Sequence, residues 1–330
     1  MVKIGRSYFQ NAFSASGARG FFGEGYRHHV LFRLIPGFDF SGSTFIAKTV
    51  TLNPRMPEPD EIGGKIGNLS LDPRTWKPLK WFPDCIKVFL WRCEAVNAVG
   101  LTNPGVDAVF ERGQLQLMPG PIVISFMALE EEKEKRLQEV TEFCKFFNAY
   151  WSTLLNPVGL QFNVSCPNTD HDQNELIGNI MHELKIIRDF LPDVSLIVKI
   201  NVLTPIAAMK KVVDAGLIDA IEIPNTLPFG KRPDRVDWCG KFGPESPLKK
   251  YGGGGYSGPE NLQLALEWIE NARSQGVEIP IICGGVSCKR DVDRAKQVGA
   301  NAIAFARITM SPFHAWKVQG IIQHANQIFG

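Results

Sequence analysis

A short segment near the middle of the chain carries residue types that could do chemistry. Residues 162–168, FNVSCPN, have the pattern of a strand that runs into a tight loop. Such a segment presents amides, a hydroxyl and a thiol at the carboxyl end of a strand, where parallel α/β folds bind ligands. Pro167 disfavours helical geometry at Cys166. Taken alone, the segment is also compatible with an ordinary Asn/Pro loop that contains a buried cysteine.

Cys166 is the reactive group that these residue types favour. A thiol with a pKa of about 8.5 can act as a general acid or base near neutral pH. The other polar residues at predicted strand ends are amides and lysines, and glycosidase-type chemistry would need two facing carboxylates instead. The six histidines have no metal-ligand spacing, and Cys283 and Cys288 are too isolated for a zinc or iron–sulfur site. No metal site is predicted.

Two lysines interrupt apolar runs that read as strands. Lys48 lies in residues 43–51, STFIAKTVT, and Lys199 lies in residues 195–200, SLIVKI. A lysine in a strand is more often an edge residue that faces water. The functional alternative is a lysine directed into a barrel mouth, toward an anionic or electron-rich ligand.

Glycines follow the predicted seventh strand at the place where barrel enzymes commonly hold a phosphate. Gly284 and Gly285 come directly after the strand, and Ser257 and Gly258 lie on the preceding loop. Glycine lets backbone N–H groups approach phosphate oxygens closely, and a helix N-terminus adds favourable charge. The Gly284-Gly285 pair therefore predicts an anion-binding corner at the carboxyl-terminal face of the barrel.

Eight strand-like runs organise these residues. They lie near residues 9, 45, 121, 160, 196, 219, 280 and 302, and from the third onward a segment of helical period follows each strand. Alternation of strand and helix predicts a parallel sheet, and eight such units predict a closed (β/α)₈ TIM barrel. The irregular segments 52–81 and 227–251 are predicted to be excursions over its carboxyl-terminal face. Because no repeat or linker is apparent, a single domain over residues 1–330 is expected.

Composition excludes several classes of protein. The chain has 330 residues with a formal net charge of +2, and its basic residues do not cluster beyond Lys249 and Lys250, so no nucleic-acid partner is expected. Seven sparsely placed cysteines indicate free thiols in a reducing compartment. The amino-terminal residues lack the apolar core of a signal peptide, and no apolar run reaches the length of about eighteen residues that spans a membrane. We therefore expect a cytoplasmic protein without a membrane association.

Taken together, the motifs resemble the dihydroorotate dehydrogenase family over nearly the whole chain. Any one motif is common, whereas the set in this order is highly specific. The matching pieces are ASG at 15–17, AKTVT at 47–51, NAVGLTNPG at 97–105, NVSCPN at 163–168, VKIN at 198–201, PNT at 224–226, GGYSGP at 254–259 and CGGV at 283–286. The resemblance implies an FMN-dependent flavoprotein that oxidises dihydroorotate to orotate in pyrimidine biosynthesis, and cysteine at position 166 indicates the soluble class.

The resemblance also implies roles for individual residues, with Cys166 as the catalytic base. The residues implied to bind substrate are Lys48, Asn97, Asn163, Asn168, Asn225 and Thr226. The residues implied to bind FMN are Ala15, Ser16, Gly17, Lys48, Thr49, Asn163, Lys199, Ser257, Gly258, Gly284, Gly285, Ala306 and Arg307. A homodimer is expected, and the Asn-Pro-Gly turn at 103–105 favours the subgroup that pairs with an electron-transfer partner subunit.

Three features depart from the family's pattern, and one of them is the length of the irregular segments 52–81 and 227–251. Ala306-Arg307 stands where the family has Gly-Thr, and Ser125 stands where an asparagine is expected. We predict that Arg307 turns inward and binds the FMN phosphate, since its planar guanidinium suits a phosphate group.

The alternative functions are a related pyrimidine reductase such as the flavin barrel of dihydropyrimidine dehydrogenase, a non-catalytic flavoprotein, and a phosphate-binding barrel isomerase or lyase without flavin. A tRNA dihydrouridine synthase is disfavoured by the absence of a basic face.

Overall fold

Eight short parallel strands close into a barrel in the computed structural model, which describes residues 1–57, 67–164 and 173–330. The strands are β1 (Val2–Ile4), β2 (Ser7–Phe9), β3 (Ala12–Ser14), β4 (Thr44–Ile46), β5 (Ile86–Phe89), β6 (Glu94–Asn97), β7 (Ile122–Phe126), β8 (Val158–Asn163), β9 (Ser195–Lys199), β10 (Ala220–Ile223), β11 (Leu227–Pro228), β12 (Gly255–Ser257), β13 (Ile281–Cys283) and β14 (Ala302–Phe305). The barrel order is β3-β4-β7-β8-β9-β10-β13-β14, and β14 pairs with β3 to close it.

Helices alternate with the barrel strands and form the outer layer. They are α1 (His29–Phe32), α2 (Val106–Glu111), α3 (Lys133–Trp151), α4 (Gln173–Phe190), α5 (Ile206–Asp214), α6 (Trp238–Phe242), α7 (Pro259–Ser274), α8 (Lys289–Gln297), α9 (Pro312–Ala315) and α10 (Val318–Phe329), with 3₁₀ turns at Lys249–Tyr251 and Arg307–Met310. The (β/α)₈ TIM barrel predicted from the sequence is confirmed. In the part of the chain given above, every helix is too short or too polar to cross a membrane.

Strand β8 illustrates how each barrel strand divides its side chains between two environments. Leu160 and Phe162 join the large apolar cluster shared with the helices. Their neighbours Gln161 and Asn163 take the opposite, barrel-facing side because side chains alternate along a strand. The outward side of the sheet is packed closely against the helices. On the neighbouring strand β7, the Phe126 ring stacks on the Phe143 ring of α3 with centroids 3.7 Å apart. On β8, the polar residues Gln161 and Asn163 thus lie on the inward side.

The first barrel strand begins later than the sequence pattern predicts. The strand expected near residue 9 is β3, Ala12–Ser14, while Ser7–Phe9 pairs antiparallel with Val2–Ile4. Ile4, Phe9 and Phe13 are fully buried and belong to the apolar cluster inside the barrel. A continuous apolar run does not reveal where one short strand ends and the next begins. The hairpin supplies apolar filling to the barrel interior.

A four-stranded antiparallel sheet, in the order β11-β12-β6-β5, accompanies the barrel. The sequence pattern predicted a turn around 95–105 and an irregular segment over 227–251, so these strands were missed. Pairing of β12 with β6 brings Gly255 opposite Asn97. The adjacent Gly254 has φ +80°, and a Cβ there would lie 2.6 Å from the Asn97 carbonyl oxygen. The glycines that suggested a loop are thus what lets the two strands approach.

Candidate active site

A cavity of about 220 Å³ lies at the carboxyl ends of the barrel strands, between the barrel and the antiparallel sheet. The predicted site residues that line it are Ala15, Ser16, Gly17, Lys48, Thr49, Asn97, Asn163, Lys199, Asn225, Thr226, Ser257, Gly258, Gly284, Gly285, Ala306 and Arg307. Parallel strands bring their carboxyl ends to one face, which is why residues distant in sequence meet here. Their chemical roles stay predictions.

Cys166 and Asn168, the predicted base and one of the predicted substrate ligands, lie outside the described residues. The described chain reaches Val164, whose backbone N–H donates to the carbonyl oxygen of Lys199 at 3.2 Å. Asn163, three positions before Cys166, lines the cavity.

Three of the described cysteines, Cys85, Cys144 and Cys283, are poor alternatives to Cys166 as a base. Burial raises the pKa of Cys85 to about 11 and the pKa of Cys144 and Cys283 to about 12. A thiol with so high a pKa stays protonated at neutral pH and does not accept a proton there.

One corner of the cavity is built from the loops that follow β12, β13 and β14. Gly258 directly precedes helix α7, and Gly285 has φ +79°, a conformation that favours glycine. The backbone N–H of Gly284 donates to the carbonyl oxygen of Ile223 at 2.6 Å, and a Cβ on Gly284 would lie 3.2 Å from Pro224 Cδ. Backbone N–H groups at such a corner are suited to bind an anion.

Asn261, in the first turn of α7, lines the same cavity and was not singled out from the sequence. It is buried, and its Nδ2 donates to the carbonyl oxygen of Asn225 at 3.1 Å. Its Oδ1 has no hydrogen-bond partner among the residues that the structure describes. A buried acceptor without a donor costs about 1–3 kcal/mol, so this oxygen fits a ligand that carries an N–H or O–H group.

Arg307 turns into the fold at the edge of this corner. Its Nη2 donates to the Gly285 carbonyl oxygen at 3.1 Å and to Ser287 Oγ at 3.0 Å, and its Nε donates to the same carbonyl at 3.3 Å. Its Nη1 donates to the Cys93 carbonyl oxygen at 2.9 Å. Four of the five N–H directions of the guanidinium are therefore occupied by protein acceptors. The arginine fastens the Gly285 loop to the chain next to β6, and its predicted bond to a phosphate stays a prediction.

Two amides face each other across the cavity wall. Asn225 Nδ2 donates to Asn163 Oδ1 at 3.0 Å, and Asn225 Oδ1 accepts from the backbone N–H of Thr226 at 2.9 Å. Lys48 also lines the wall, where its Nζ donates to the carbonyl oxygen of Thr102 at 2.5 Å. The lysine and the amides are suited to hold a planar ligand that has both acceptors and donors at its edge.

A row of buried polar side chains crosses the barrel below the amides. Thr49 Oγ1 lies 2.9 Å from Ser125 Oγ, and Ser125 Oγ donates to Gln161 Oε1 at 2.8 Å. Gln161 Nε2 donates to Glu222 Oε2 at 2.5 Å, and Glu222 Oε1 lies 3.1 Å from Lys199 Nζ. We refer to these five residues as the polar row.

Sequence reasoning missed Gln161 and Glu222 because both lie inside apolar strand patterns. A signal for Glu222 was available in the sequence. This carboxylate interrupts the apolar run at 218–223, IDAIEI, in the same way that Lys48 and Lys199 interrupt their apolar runs. Ser125, which departs from the pattern of the resembled family, is the link between Thr49 and Gln161. In the ranges 1–57, 67–164 and 173–330, no group of three or more His, Cys, Asp or Glu residues is arranged to hold a metal ion.

Comparison with known proteins gives a family match over most of the chain. A model described as dihydroorotate dehydrogenase matches residues 84–324. The catalytic subunit of dihydroorotate dehydrogenase B (NAD(+)) from Geobacillus kaustophilus is 31% identical over 215 residues, which are 63% of this chain and 63% of that protein. Dihydroorotate dehydrogenase A (fumarate) from Lactobacillus delbrueckii subsp. bulgaricus is 31% identical over 213 residues, 63% of this chain and 64% of that protein.

The matched region thus spans less than two thirds of the length of these relatives. The first two barrel strands, β3 and β4, precede the family match. Among solved structures, mandelate oxidase with (S)-2-phenylpropionate is similar at a TM-score of 0.37 and 13% identity, over 69% of this chain and 60% of that chain. This likeness is too low to bear on the fold or the function.

Proposed function

This chain belongs to the dihydroorotate dehydrogenase family, and we propose that it is an FMN-dependent oxidoreductase that converts dihydroorotate to orotate. The observation that carries the proposal is that one cavity combines a corner of loop glycines, a buried lysine and a pair of facing amides. Such a combination suits a phosphate-bearing cofactor next to a planar substrate.

The described residues fit FMN. The backbone of Gly258 and Gly285 would hold the phosphate, while Gly284, whose N–H donates to the Ile223 carbonyl oxygen, keeps the loop close to β10. Arg307 would fasten the Gly285 loop, and the orphaned Oδ1 of Asn261 would accept a hydrogen bond from the cofactor. Lys199 would lie against the ring system, as the resemblance implies. When bound, FMN accepts the hydride that leaves C6 of dihydroorotate.

Substrate positioning is assigned to residues on the other side of the cavity. The Lys48 ammonium would pair with the carboxylate of dihydroorotate, while the amides of Asn163 and Asn225 hold the edge of its ring. Asn97, Asn168 and Thr226 are proposed to complete the pocket. These groups act by fixing the orientation of the substrate and by stabilising developing charge, rather than by forming covalent bonds.

Cys166 is proposed as the base of the reaction. Its thiolate takes the proton from C5, the C5–H bonding electrons become the C5–C6 double bond, and the hydride departs from C6. A proton transfer of this kind by a positioned side chain typically contributes about 10²–10⁴-fold to the rate.

The proposal is tested by following orotate formation with a dye as electron acceptor. Protein loaded with FMN is expected to oxidise dihydroorotate much faster than dihydrouracil, because dihydrouracil has no carboxylate to pair with Lys48. Equal rates with the two compounds would favour the related pyrimidine reductases. A protein that binds phosphate but not FMN would favour an isomerase or lyase, and FMN binding without turnover would favour a non-catalytic flavoprotein.

The amide pair gives a prediction about substrate affinity. In Asn225→Ala the side chain that orients Asn163 is removed, so orotate binding is expected to weaken by about tenfold, the cost of roughly one hydrogen bond to a buried group. Titration of FMN-loaded protein with orotate, followed by the change in the flavin spectrum, measures this affinity.

The matched control for that titration is Asn156→Ala. Asn156 precedes β8 at the amino-terminal end of the barrel, where its Nδ2 donates to the Met118 carbonyl oxygen. Orotate affinity should stay at the wild-type value in this variant. Similar affinity in Asn225→Ala and wild type would place the pyrimidine pocket elsewhere.

Assembly, location and domain organisation stay predictions. The homodimer and the electron-transfer partner subunit rest on the resemblance, and one relative is itself described as a catalytic subunit. The cytoplasmic location and the single domain over residues 1–330 rest on composition and on the lack of a linker. Light scattering of the purified chain checks the dimer.

A further inference from the structure

Glu222 is a buried carboxylate in the cavity wall that the proposed reaction does not use. Its side chain is 1% exposed, and it sits on β10 directly opposite Lys199 of β9 in the strand register. Among the described residues that line the cavity, Glu222 is the one acidic side chain, alongside the basic Lys48, Lys199 and Arg307. A buried carboxylate is costly unless it is paired and hydrogen-bonded, so this position needs an explanation.

The hydrogen bonds of the polar row fix the direction of its protons. An ionised Glu222 can only accept, so the Gln161 amide must turn its Nε2 toward the carboxylate and its Oε1 toward Ser125. Ser125 therefore donates its one hydroxyl proton to Gln161, and Thr49 in turn donates to Ser125. Successive donors that point the same way strengthen one another. The row converges on Glu222 and stabilises its negative charge.

Each carboxylate oxygen of Glu222 has a defined partner. Oε1 lies 3.1 Å from Lys199 Nζ, and Oε2 accepts from Gln161 Nε2 at 2.5 Å. The pair is thus a fixed cation and a fixed anion side by side, both almost fully buried. Because screening by solvent is weak at such a depth, removing either charge changes the local potential more than it would at the surface.

We propose that Glu222 is the counter-ion that offsets the Lys199 charge beside bound FMN and thereby keeps the reduction potential of the cofactor low. The inference rests on the proposed function, since it requires FMN in this cavity. Reduction adds negative charge to the cofactor. The positive charge of the Lys199 ammonium favours the reduced state, and the Glu222 carboxylate cancels part of that preference. A lower potential favours the onward transfer of electrons to an acceptor.

The test is a spectroelectrochemical titration of the FMN-loaded protein. In Glu222→Gln, the ratio of the affinities for reduced and oxidised FMN is expected to rise roughly tenfold, which for a two-electron couple raises the midpoint potential by about 30 mV. The substitution keeps the size of the side chain and its ability to bond Gln161. An unchanged midpoint potential in a folded, FMN-loaded Glu222→Gln protein would overturn the inference.

A charge cycle separates the electrostatic effect from a structural one. Lys199→Gln should lower the potential, and the double variant Lys199→Gln/Glu222→Gln should return it toward the wild-type value. Neutral replacement of a whole buried pair is often well tolerated, whereas removal of one partner leaves an unpaired charge. If Glu222→Gln alone does not fold, comparison of Lys199→Gln with the double variant still isolates the Glu222 charge, and equal potentials in those two proteins would overturn the inference.

Glu183→Gln is the matched control. Glu183 is as deeply buried as Glu222 and pairs with Arg136 at 2.6 Å, but it does not line the cavity. Its substitution can alter stability and should leave the FMN potential unchanged. A wild-type chain that fails to bind FMN defeats both proposals. A chain that binds FMN and oxidises dihydroorotate, yet gives the same potential with and without the Glu222 charge, defeats this one alone.

Discussion

Replacement of Cys166 with alanine is expected to slow the reduction of bound FMN by dihydroorotate by about 10²–10⁴-fold, the usual contribution of a positioned general base. FMN binding and orotate affinity should stay near their wild-type values, because alanine removes the proton acceptor and little else. Anaerobic stopped-flow mixing, which records the loss of flavin absorbance directly, measures the rate.

Two further variants make the Cys166 experiment specific. The Cys239→Ala variant lacks an exposed thiol, and dihydroorotate should reduce its bound FMN at the wild-type rate. Cys166→Ser keeps a hydroxyl that is far less acidic than a thiol, so the rate should be low at neutral pH and should recover as the pH is raised. Wild-type reduction kinetics in Cys166→Ala at neutral pH would show that another group takes the proton.

Replacement of Arg307 with alanine is expected to weaken FMN binding by about ten- to a hundredfold. Charge-assisted hydrogen bonds contribute about 1.5–3 kcal/mol each, and those of Arg307 join the Gly285 loop, through the Gly285 carbonyl oxygen and Ser287 Oγ, to the Cys93 carbonyl oxygen. Without them the loop glycines lose their fixed place at the corner of the cavity. Titration of the apoprotein with FMN, read by the quenching of flavin fluorescence, gives the dissociation constant.

Arg307→Lys distinguishes a loop-fastening role from a direct charge contact with the phosphate. A lysine keeps the charge but lacks the planar fork that reaches separate acceptors, so its dissociation constant should lie close to that of Arg307→Ala. Recovery of wild-type affinity by lysine would instead indicate that the charge itself binds the phosphate. Arg6→Ala, which breaks an exposed ion pair with Asp193 near the start of β9, should leave FMN binding unchanged. A dissociation constant within about twofold of wild type in Arg307→Ala would contradict any role at this corner.

The barrel was predictable from the sequence because its strands and helices have different hydrophobic periods. Residues 121–127 form a continuous apolar run, and the helical spacing of apolar residues after it marks α3. Alternation of strand and helix requires the strand ends to share one face, which predicts that Lys48, Asn163 and Gly285 lie together, and all three line the cavity.

The antiparallel sheet could not be predicted because its short strands are defined by partners distant in sequence. Strand β12 consists of Gly255 to Ser257 and pairs with β6 more than a hundred residues earlier. Local patterns carry no information about such a pairing, and glycine there favours a turn on propensity alone.

Two members of the polar row, Gln161 and Glu222, escaped sequence reasoning for a related reason. Gln161 and Glu222 each lie between apolar neighbours whose side chains face the helices, and their own side chains face the barrel interior. A strand pattern indicates that a residue is buried, but the partner that makes burial of its charge tolerable lies on another strand. For Glu222 that partner is Lys199, and only the register of β9 and β10 brings the two together.

The central claim is tested most directly by anaerobic mixing of FMN-loaded wild-type protein with dihydroorotate. The proposed function predicts that the flavin absorbance bleaches and that one orotate forms for each FMN reduced. A protein that carries FMN in this cavity and stays yellow in excess dihydroorotate would contradict the claim.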